Sequence, residues 1–336
     1  MNKALSSLLI DLGSGYLKCG PRQLTEPVVI PAAFKMSSLS QGNSIFCELD
    51  PGRRKWVFPL EDGLLPKDPD PVVKLCTLAL EQFPQLNNNR EDVEVTLLVF
   101  PLSDLEQVTQ LCQAVKEALG CMHVDAAIQQ VLTWGHWGRK TGLIVDVGYS
   151  VSFITPIYRG FLLEEEICTI VTGSFFISAE IRKLLFHQAK STQTHLYNKL
   201  ANDGAAISKI KQTLCKVQPC EANGAFGEIA QFRYQGTELS LGSLPWQAPE
   251  VLFQPTLLGV GDKGLTDALI DVLQRVDTSV RAELASNIVM SGGGSMFLGL
   301  GTRIENDLHN QFPHLAVKVF DLEHPLYSSW LGAAKM

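Results

Sequence analysis

Leu8-Leu9-Ile10-Asp11-Leu12-Gly13-Ser14-Gly15-Tyr16-Leu17-Lys18-Cys19-Gly20 is the stretch from which the fold is read. Leu8, Leu9 and Ile10 form a short apolar run, the mark of a buried strand. Asp11 falls where that strand should leave the core. Gly13-Ser14-Gly15 makes a tight turn, and Tyr16-Leu17-Lys18 resumes an extended pattern, so the stretch reads as a hairpin. Glycines let backbone N–H groups approach an anion closely; Ser14 adds a hydroxyl donor and Lys18 a positive charge. Asp11 would repel a phosphate, but it can hold a hydrated Mg²⁺ that binds one. An ordinary hairpin with a Gly-rich turn carries the same signature.

The pattern recurs. Leu143-Ile144-Val145-Asp146-Val147-Gly148-Tyr149-Ser150-Val151-Ser152 again runs apolar strand, Asp, turn, strand, and continues to Ile157. Two copies of one unit, far apart in the chain, point to a duplicated fold with one copy per half. Facing turns of this kind would clamp the phosphates of a nucleotide. A third glycine turn, Ser291-Gly292-Gly293-Gly294-Ser295-Met296, follows the apolar run Ile288-Val289-Met290. It is a candidate for the base and ribose end.

The chain has 336 residues, enough for two domains with separate cores. A hydrophobic content of 46% with 19% charged residues is ordinary for a globular protein. The net charge of −7 and the lack of any basic cluster beyond Arg53-Arg54-Lys55 argue against nucleic-acid or anionic-membrane partners. The N-terminal apolar run is broken by Asp11, so it reads as neither signal peptide nor membrane span. Eight cysteines lie scattered without a CxxC pair, which fits free thiols in a reducing compartment.

Along the chain, Glu26 to Pro31 reads as a strand. Residues 36–56 are polar and punctuated by Ser, Gly and Pro, as in a small outlying lobe. Asp70 and Pro71 suit a helix start, with Asp70 as N-cap. Val93 to Phe100 reads as a strand, Ser103 as the cap of a helix through Leu119, and Ala126 to Trp137 as a helix carrying Gln129. In the second half, Ile167 to Val171 is a strand and Ser178 to Leu185 a helix. A helix over Asn198 to Leu214 and strands around Phe232 and Leu239–Leu241 fill a polar insert. Leu265 to Val276 and Ser279 to Ala285 are helices. The alternation predicts an α/β arrangement of sheets and covering helices.

At this level the chain resembles the actin family, along almost its full length. The first turn, with Lys18, matches that family's first phosphate loop. Phe58 to Gly63 looks like the return from its small outer subdomain. Ala127 to Leu132 and Gly138 to Gly142 match the segment before the second phosphate loop, and Pro156 to Gly160 the strand end after it. Pro249 to Pro255 and Asn287 to Gly299 are similarly close. Tyr327-Ser328-Ser329-Trp330-Leu331-Gly332 matches the last core strand and turn.

The resemblance implies a duplicated actin-like ATPase fold of class α/β, with two domains around a nucleotide cleft. The first half would be 1–141 with an outer lobe at about 32–57, and the second 142–336 with an outer lobe at about 176–248. It implies ATP or ADP with Mg²⁺, the metal flanked by Asp11 and Asp146, and Gln129 directed at the attacking water. A solvent-facing helix Gln is the plain alternative for Gln129. Gly13, Ser14, Gly15, Lys18 and Gly148 would cradle the phosphates. Gly173, Lys211, Gly292, Gly293, Gly294, Ser295 and Met296 would line the nucleoside end, although Lys211 reads equally as a solvated helix lysine.

The departures bear on catalysis. Tyr149 stands where the family has a second acidic residue, Ser150 where it has glycine, and Phe153 where it has a water-positioning histidine. Gln212 replaces an acidic neighbour of Lys211, and Leu326 a lysine over the adenine. A phenol is a poor carboxylate substitute near neutral pH. Binding is therefore expected to outlast hydrolysis, leaving at most a slow ATPase.

Three functions compete. One is a cytoplasmic, cytoskeletal filament subunit or filament-end cap, whose partners are other actin-like subunits. Another is a pseudo-ATPase scaffold subunit of a larger complex, of motor-adaptor or chromatin-remodelling type. A sugar kinase of the wider superfamily is weakest, since nothing after Gly148 supplies an acidic base. The outer lobe at 36–56 is shorter than in actin, and the chain stops at Met336 where actin continues with helices. Both differences reduce the surfaces for two-sided assembly and favour a cap.

Overall fold

Leu8, Leu9 and Ile10 are fully buried in β1 (Ser6–Asp11), the central strand from which the first sheet is built. The computed structural model describes residues 6–35, 56–57, 59–60, 64–192, 195–220, 229–260 and 263–336. These fall into two units. The first comprises the described residues up to Lys140 together with Leu322–Met336; the second is Thr141–Asp321.

In the first unit, β1 pairs antiparallel with β2 (Tyr16–Pro21), forming the expected hairpin, and β2 with β3 (Val28–Pro31). The two-residue strands β4 (Phe34–Lys35) and β5 (Trp56–Val57) pair with each other; the rest of the expected small lobe, 36–55, lies outside the described residues. Helices α1 (Asp70–Glu81) and α2 (Pro84–Asn87) follow. Then come β6 (Val93–Val99), α3 (Leu105–Leu119), β7 (His123–Ile128) and α4 (Gln129–Trp137). The sheet order is β3-β2-β1-β6-β7, with β6 and β7 parallel to β1.

The second unit repeats this plan. β8 (Gly142–Val147) and β9 (Ser152–Tyr158) form the second hairpin. β10 (Phe161–Leu162) and β11 (Cys168–Ile170) both pair with β9. Next come α5 (Ser174–Thr192), α6 (His195–Ala201), α7 (Gly204–Thr213), the hairpin β12 (Ala230–Tyr234) and β13 (Thr237–Gly242), and α8 (Leu244–Gln247). The unit closes with α9 (Leu265–Arg275), α10 (Thr278–Ala285), β14 (Ile288–Ser291), α11 (Leu300–Gln311) and β15 (Val319–Asp321). β14 runs parallel to β8, and β15 parallel to β14. In each unit an antiparallel hairpin is thus extended by two parallel strands, which is the duplication anticipated from sequence. One core links β8 residues Leu143 and Val145 to Ile177, Ile181 and Leu185 of α5, Leu269 and Val272 of α9, and Leu300 and Ile304 of α11.

Several boundaries differ from expectation. Ala126 to Ile128 are strand, not helix, because Leu97, Leu98 and Val99 of β6 pair with them in register; α4 starts at Gln129. Asp104, not Ser103, caps α3 by accepting from the Gln107 N–H at 2.9 Å, while the Ser103 hydroxyl donates to the Phe100 carbonyl. Pro69 occupies the cap of α1, with Asp70 inside its first turn. The single helix expected over 198–214 is two, because Asp203 caps a new start by accepting from the Ala206 N–H. Helix α5 begins before Ser178 and runs past Leu185.

The stretch Tyr327–Gly332 is helical where a strand and turn were expected. It forms α12 (Ser328–Lys335), which packs in the first unit. Trp330 is fully buried there beside Leu9, Leu98 and Leu132.

Candidate functional site

The register of the first hairpin sets Lys18 directly across from Asp11. Lys18 Nζ lies 3.1 Å from Asp11 Oδ2. Asp11 is 1% exposed, and a buried carboxylate needs donors. Ser329 Oγ donates to the same Oδ2 at 2.8 Å, and Gln129 Nε2 donates to Oδ1 at 2.7 Å. The four side chains come from β1, β2, the first turn of α4 and the first turn of α12.

Gln129 is buried, not solvent-facing. Its Nε2 also lies 2.8 Å from the Leu12 carbonyl and 3.2 Å from that of Leu98. Three acceptors surround the nitrogen, so its two hydrogens are taken up within the unit and fix the amide orientation. The amide oxygen is left as the group through which Gln129 can meet water.

The turn after Asp11 is drawn tight. A side-chain carbon at Gly13 would stand 2.5 Å from the Tyr16 carbonyl oxygen, and the Gly15 carbonyl accepts from the Ala32 N–H. Ser14 is buried inside this turn.

The second hairpin reproduces the geometry with different side chains. A side-chain carbon at Gly148 would stand 2.5 Å from the Val151 carbonyl oxygen, just as Gly13 stands to Tyr16. Tyr149 and Ser150 therefore take the places of Ser14 and Gly15. Across from Asp146, where Lys18 faces Asp11, stands Phe153, which is buried. The Tyr149 ring lies 5.7 Å from that of Phe175, in the first turn of α5.

The other glycine turns of the second unit converge here. A side-chain carbon at Gly173 would meet the Tyr149 carbonyl oxygen at 2.5 Å and that of Gly148 at 2.8 Å. One at Gly294 would meet the Val147 carbonyl at 2.8 Å. Gly292 has φ +81° and approaches Asp146 Oδ1 and the Val147 carbonyl so closely that no side chain fits. Gly148, Gly173, Gly292 and Gly294 are thus brought together around the turn from Asp146 to Tyr149.

Lys211 is 7% exposed, not a solvated lysine. Its Nζ lies 3.4 Å from the Ser174 carbonyl and 5.7 Å from the Tyr149 ring centre, within cation–π range. Ser295 folds inward, its hydroxyl donating to the Gly292 carbonyl at 2.8 Å. Met296 is 63% exposed and stands out from the turn.

Sequence reading missed Ser329 as a partner of Asp11. It lies 318 residues away, and no local pattern marks it.

The sequence model of the actin family, described as Actin, matches residues 2–336. The chain belongs to the actin family. Actin-family proteins generally bind a nucleotide with a divalent metal. The donors of this actin-family chain fit such a metal. Mg²⁺ keeps most of its waters and binds through one or two carboxylates plus substrate phosphates, not through a protein cage. Asp11 and Asp146 are carboxylates of that kind at equivalent strand ends. No group of three or more His, Cys, Asp or Glu side chains able to hold a metal occurs among the described residues. No helix among them is long and apolar enough to cross a membrane.

Proposed function

We propose that the chain binds ATP or ADP with Mg²⁺ and acts as a cytoskeletal subunit among other actin-like subunits. It serves as a filament subunit or an end cap and hydrolyses slowly or not at all. Asp11 and Asp146 would each offer a carboxylate to the hydrated metal. Gly13, Ser14, Gly15, Lys18 and Gly148 would address the phosphates, and Gly173, Lys211 and Gly292 to Met296 the nucleoside.

The observation that carries this reading is the contrast between the hairpins. In the first, Asp11 is held by Lys18, Gln129 and Ser329 beside a tight glycine turn. In the second, the same backbone turn carries Tyr149, and the residue opposite the carboxylate is the buried Phe153. The backbone equipment for phosphate is present twice, while the side chains that would hold and polarise a water are depleted. Losing one water-orienting or charge-stabilising group commonly costs about 10²-fold to 10³-fold in rate.

The second reading, a scaffold subunit of a larger complex, draws on the same depletion: nucleotide would then act as cement and never as fuel. Filament subunit and scaffold differ in their partners, so size-exclusion chromatography with light scattering in Mg-ATP separates polymer, monomer and co-purifying complex.

Binding is tested by thermal unfolding with Mg-ADP and Mg-ATP. A ligand that binds only the folded state raises the midpoint by mass action. We expect a shift in the intact protein and its loss in Asp11→Asn, which keeps the side-chain shape but removes the charge. No shift in the intact protein would sink the reading.

A further inference from the structure

We propose that Ser329, on the last helix, is the positioning residue that keeps Asp11 oriented when Lys18 is drawn away to a phosphate. The inference rests on the Mg-nucleotide reading of the Asp11 site given above.

Asp11 Oδ2 has two donors, Lys18 Nζ at 3.1 Å and Ser329 Oγ at 2.8 Å. They differ in what else they can serve. Lys18 carries the positive charge that an arriving phosphate would attract, and its side chain is 13% exposed. Ser329 is uncharged, 8% exposed and fixed by its helix. Once the ammonium turns towards an anion, Ser329 is the donor that remains described on Oδ2. Without it, that oxygen would be buried with an unmet acceptor, and the carboxylate would be held by Gln129 at Oδ1 alone. A carboxylate that orients metal-bound water must not rotate, and partners of this sort typically govern metal affinity by 10-fold to 100-fold.

The base on which Ser329 stands is rigid. Its neighbour Trp330 is fully buried. Gly332 lies directly against the Leu132 carbonyl. Docking of α12 thus sets the Ser329 hydroxyl, and through it the Asp11 carboxylate. By linkage, metal-nucleotide binding at Asp11 would in turn hold α12 in place.

The experiment compares ADP affinity with Mg²⁺ and in EDTA, for wild type, Ser329→Ala, Ser329→Thr and Ser328→Ala. Ser328 is the matched control, a buried hydroxyl one residue away that bonds Thr133 instead of Asp11. We expect Ser329→Ala to weaken Mg-ADP binding by about 10-fold while leaving ADP in EDTA within 2-fold. Ser329→Thr, which keeps the hydroxyl, should restore most of the loss, and Ser328→Ala should resemble wild type in both arms. Equal weakening with and without metal would mark general damage and overturn the inference. So would unchanged Mg-ADP binding in Ser329→Ala, or wild-type binding indifferent to Mg²⁺. No binding by wild type in either arm overturns the nucleotide reading, and this inference with it.

Discussion

Gly332 and Leu132 meet backbone to backbone: a methyl carbon added at Gly332 would lie well under 3.0 Å from the Leu132 carbonyl oxygen. The contact is between α12 and α4, so neither side can step aside as a flexible side chain would. Alanine is intrinsically the better helix residue by about 1 kcal/mol. Overpacking against backbone costs about 1–3 kcal/mol or more, so the clash wins. Gly332→Ala should therefore lower stability. Gly135→Ala, on α4 with nothing within 4 Å, should raise it by about 0.5–1 kcal/mol. Urea midpoints of the two variants should move in opposite directions.

Gly292→Ala should damage the second half-site specifically. The position has φ +81°, and an added carbon would collide with Asp146 Oδ1. Gly138 has a similar φ of +79° but open space around it. Both substitutions carry backbone strain of about 1 kcal/mol or more. Only Gly292→Ala should also displace a carboxylate, lowering Mg-ADP affinity by about 10-fold. Equal affinity in the two variants, measured by calorimetry, would remove Asp146 from the metal reading.

Arg303, on α11, is 3% exposed. Its Nη1 lies 3.2 Å from Glu250 Oε1 and its Nε 2.8 Å from Asp307 Oδ2, with the Phe253 ring 4.4 Å beneath. Arg303→Met should cost about 3–5 kcal/mol, because it removes the cation paired with the buried Glu250 carboxylate. Adding Glu250→Gln should recover part of the loss, and a double-mutant cycle by urea denaturation measures it.

Turnover should respond to Tyr149 more cleanly than to Phe153. The Phe153 ring is buried in β9, so Phe153→His would place an imidazole in the core and cost stability. Tyr149 is only partly buried and sits in the turn itself. We expect negligible single-turnover phosphate release from wild type and a measurable gain in Tyr149→Asp. Fast wild-type release, lost on Gln129→Ala, would show that this site holds its water in another way.

His136 should make the first unit sensitive to mild acid. It lies in the last turn of α4, and burial, Lys335 of α12 and His324 lower its pKa, outweighing the opposing Glu323. The folded state therefore prefers the neutral ring. Stability is full above the ordinary histidine value of 6.5 and is lost as pH falls through the lowered folded value. His136→Gln should flatten the fall in urea midpoint between pH 7.5 and pH 5 (both about 1–2 units from that value). An unchanged pH profile would show that another group carries it.

Much of the fold could be read locally. An apolar triplet ending in Asp and followed by glycines defines each hairpin, because strand burial and turn chemistry leave few other solutions for Leu8 to Gly15 and Leu143 to Gly148. Boundaries were less legible where a neighbour decides them. Ala126 to Ile128 suit a helix as well as a strand until β6 offers its edge. Trp330, Leu331 and Ala333 satisfy a strand or a helix equally, and packing against Leu132 selects the helix. The site showed the same division. Lys18 opposite Asp11 follows from hairpin register, whereas Ser329 on Asp11 follows from a chain return that no local spacing encodes.

The return of α12 to the first unit has a consequence for synthesis. Domains generally fold as units while the chain emerges. Among the described residues the second unit is one continuous run, Thr141–Asp321, and its described strands and helices are available once that run has left the ribosome. The first unit begins earlier, yet Trp330 and Ser329 are made after that run, so its central packing stays open while the second unit is translated. The half that is made first is therefore completed second. Until then the nascent protein exposes the apolar faces of β1, β6 and α4 that Trp330 will cover, which is the interval in which a folding helper would have something to hold.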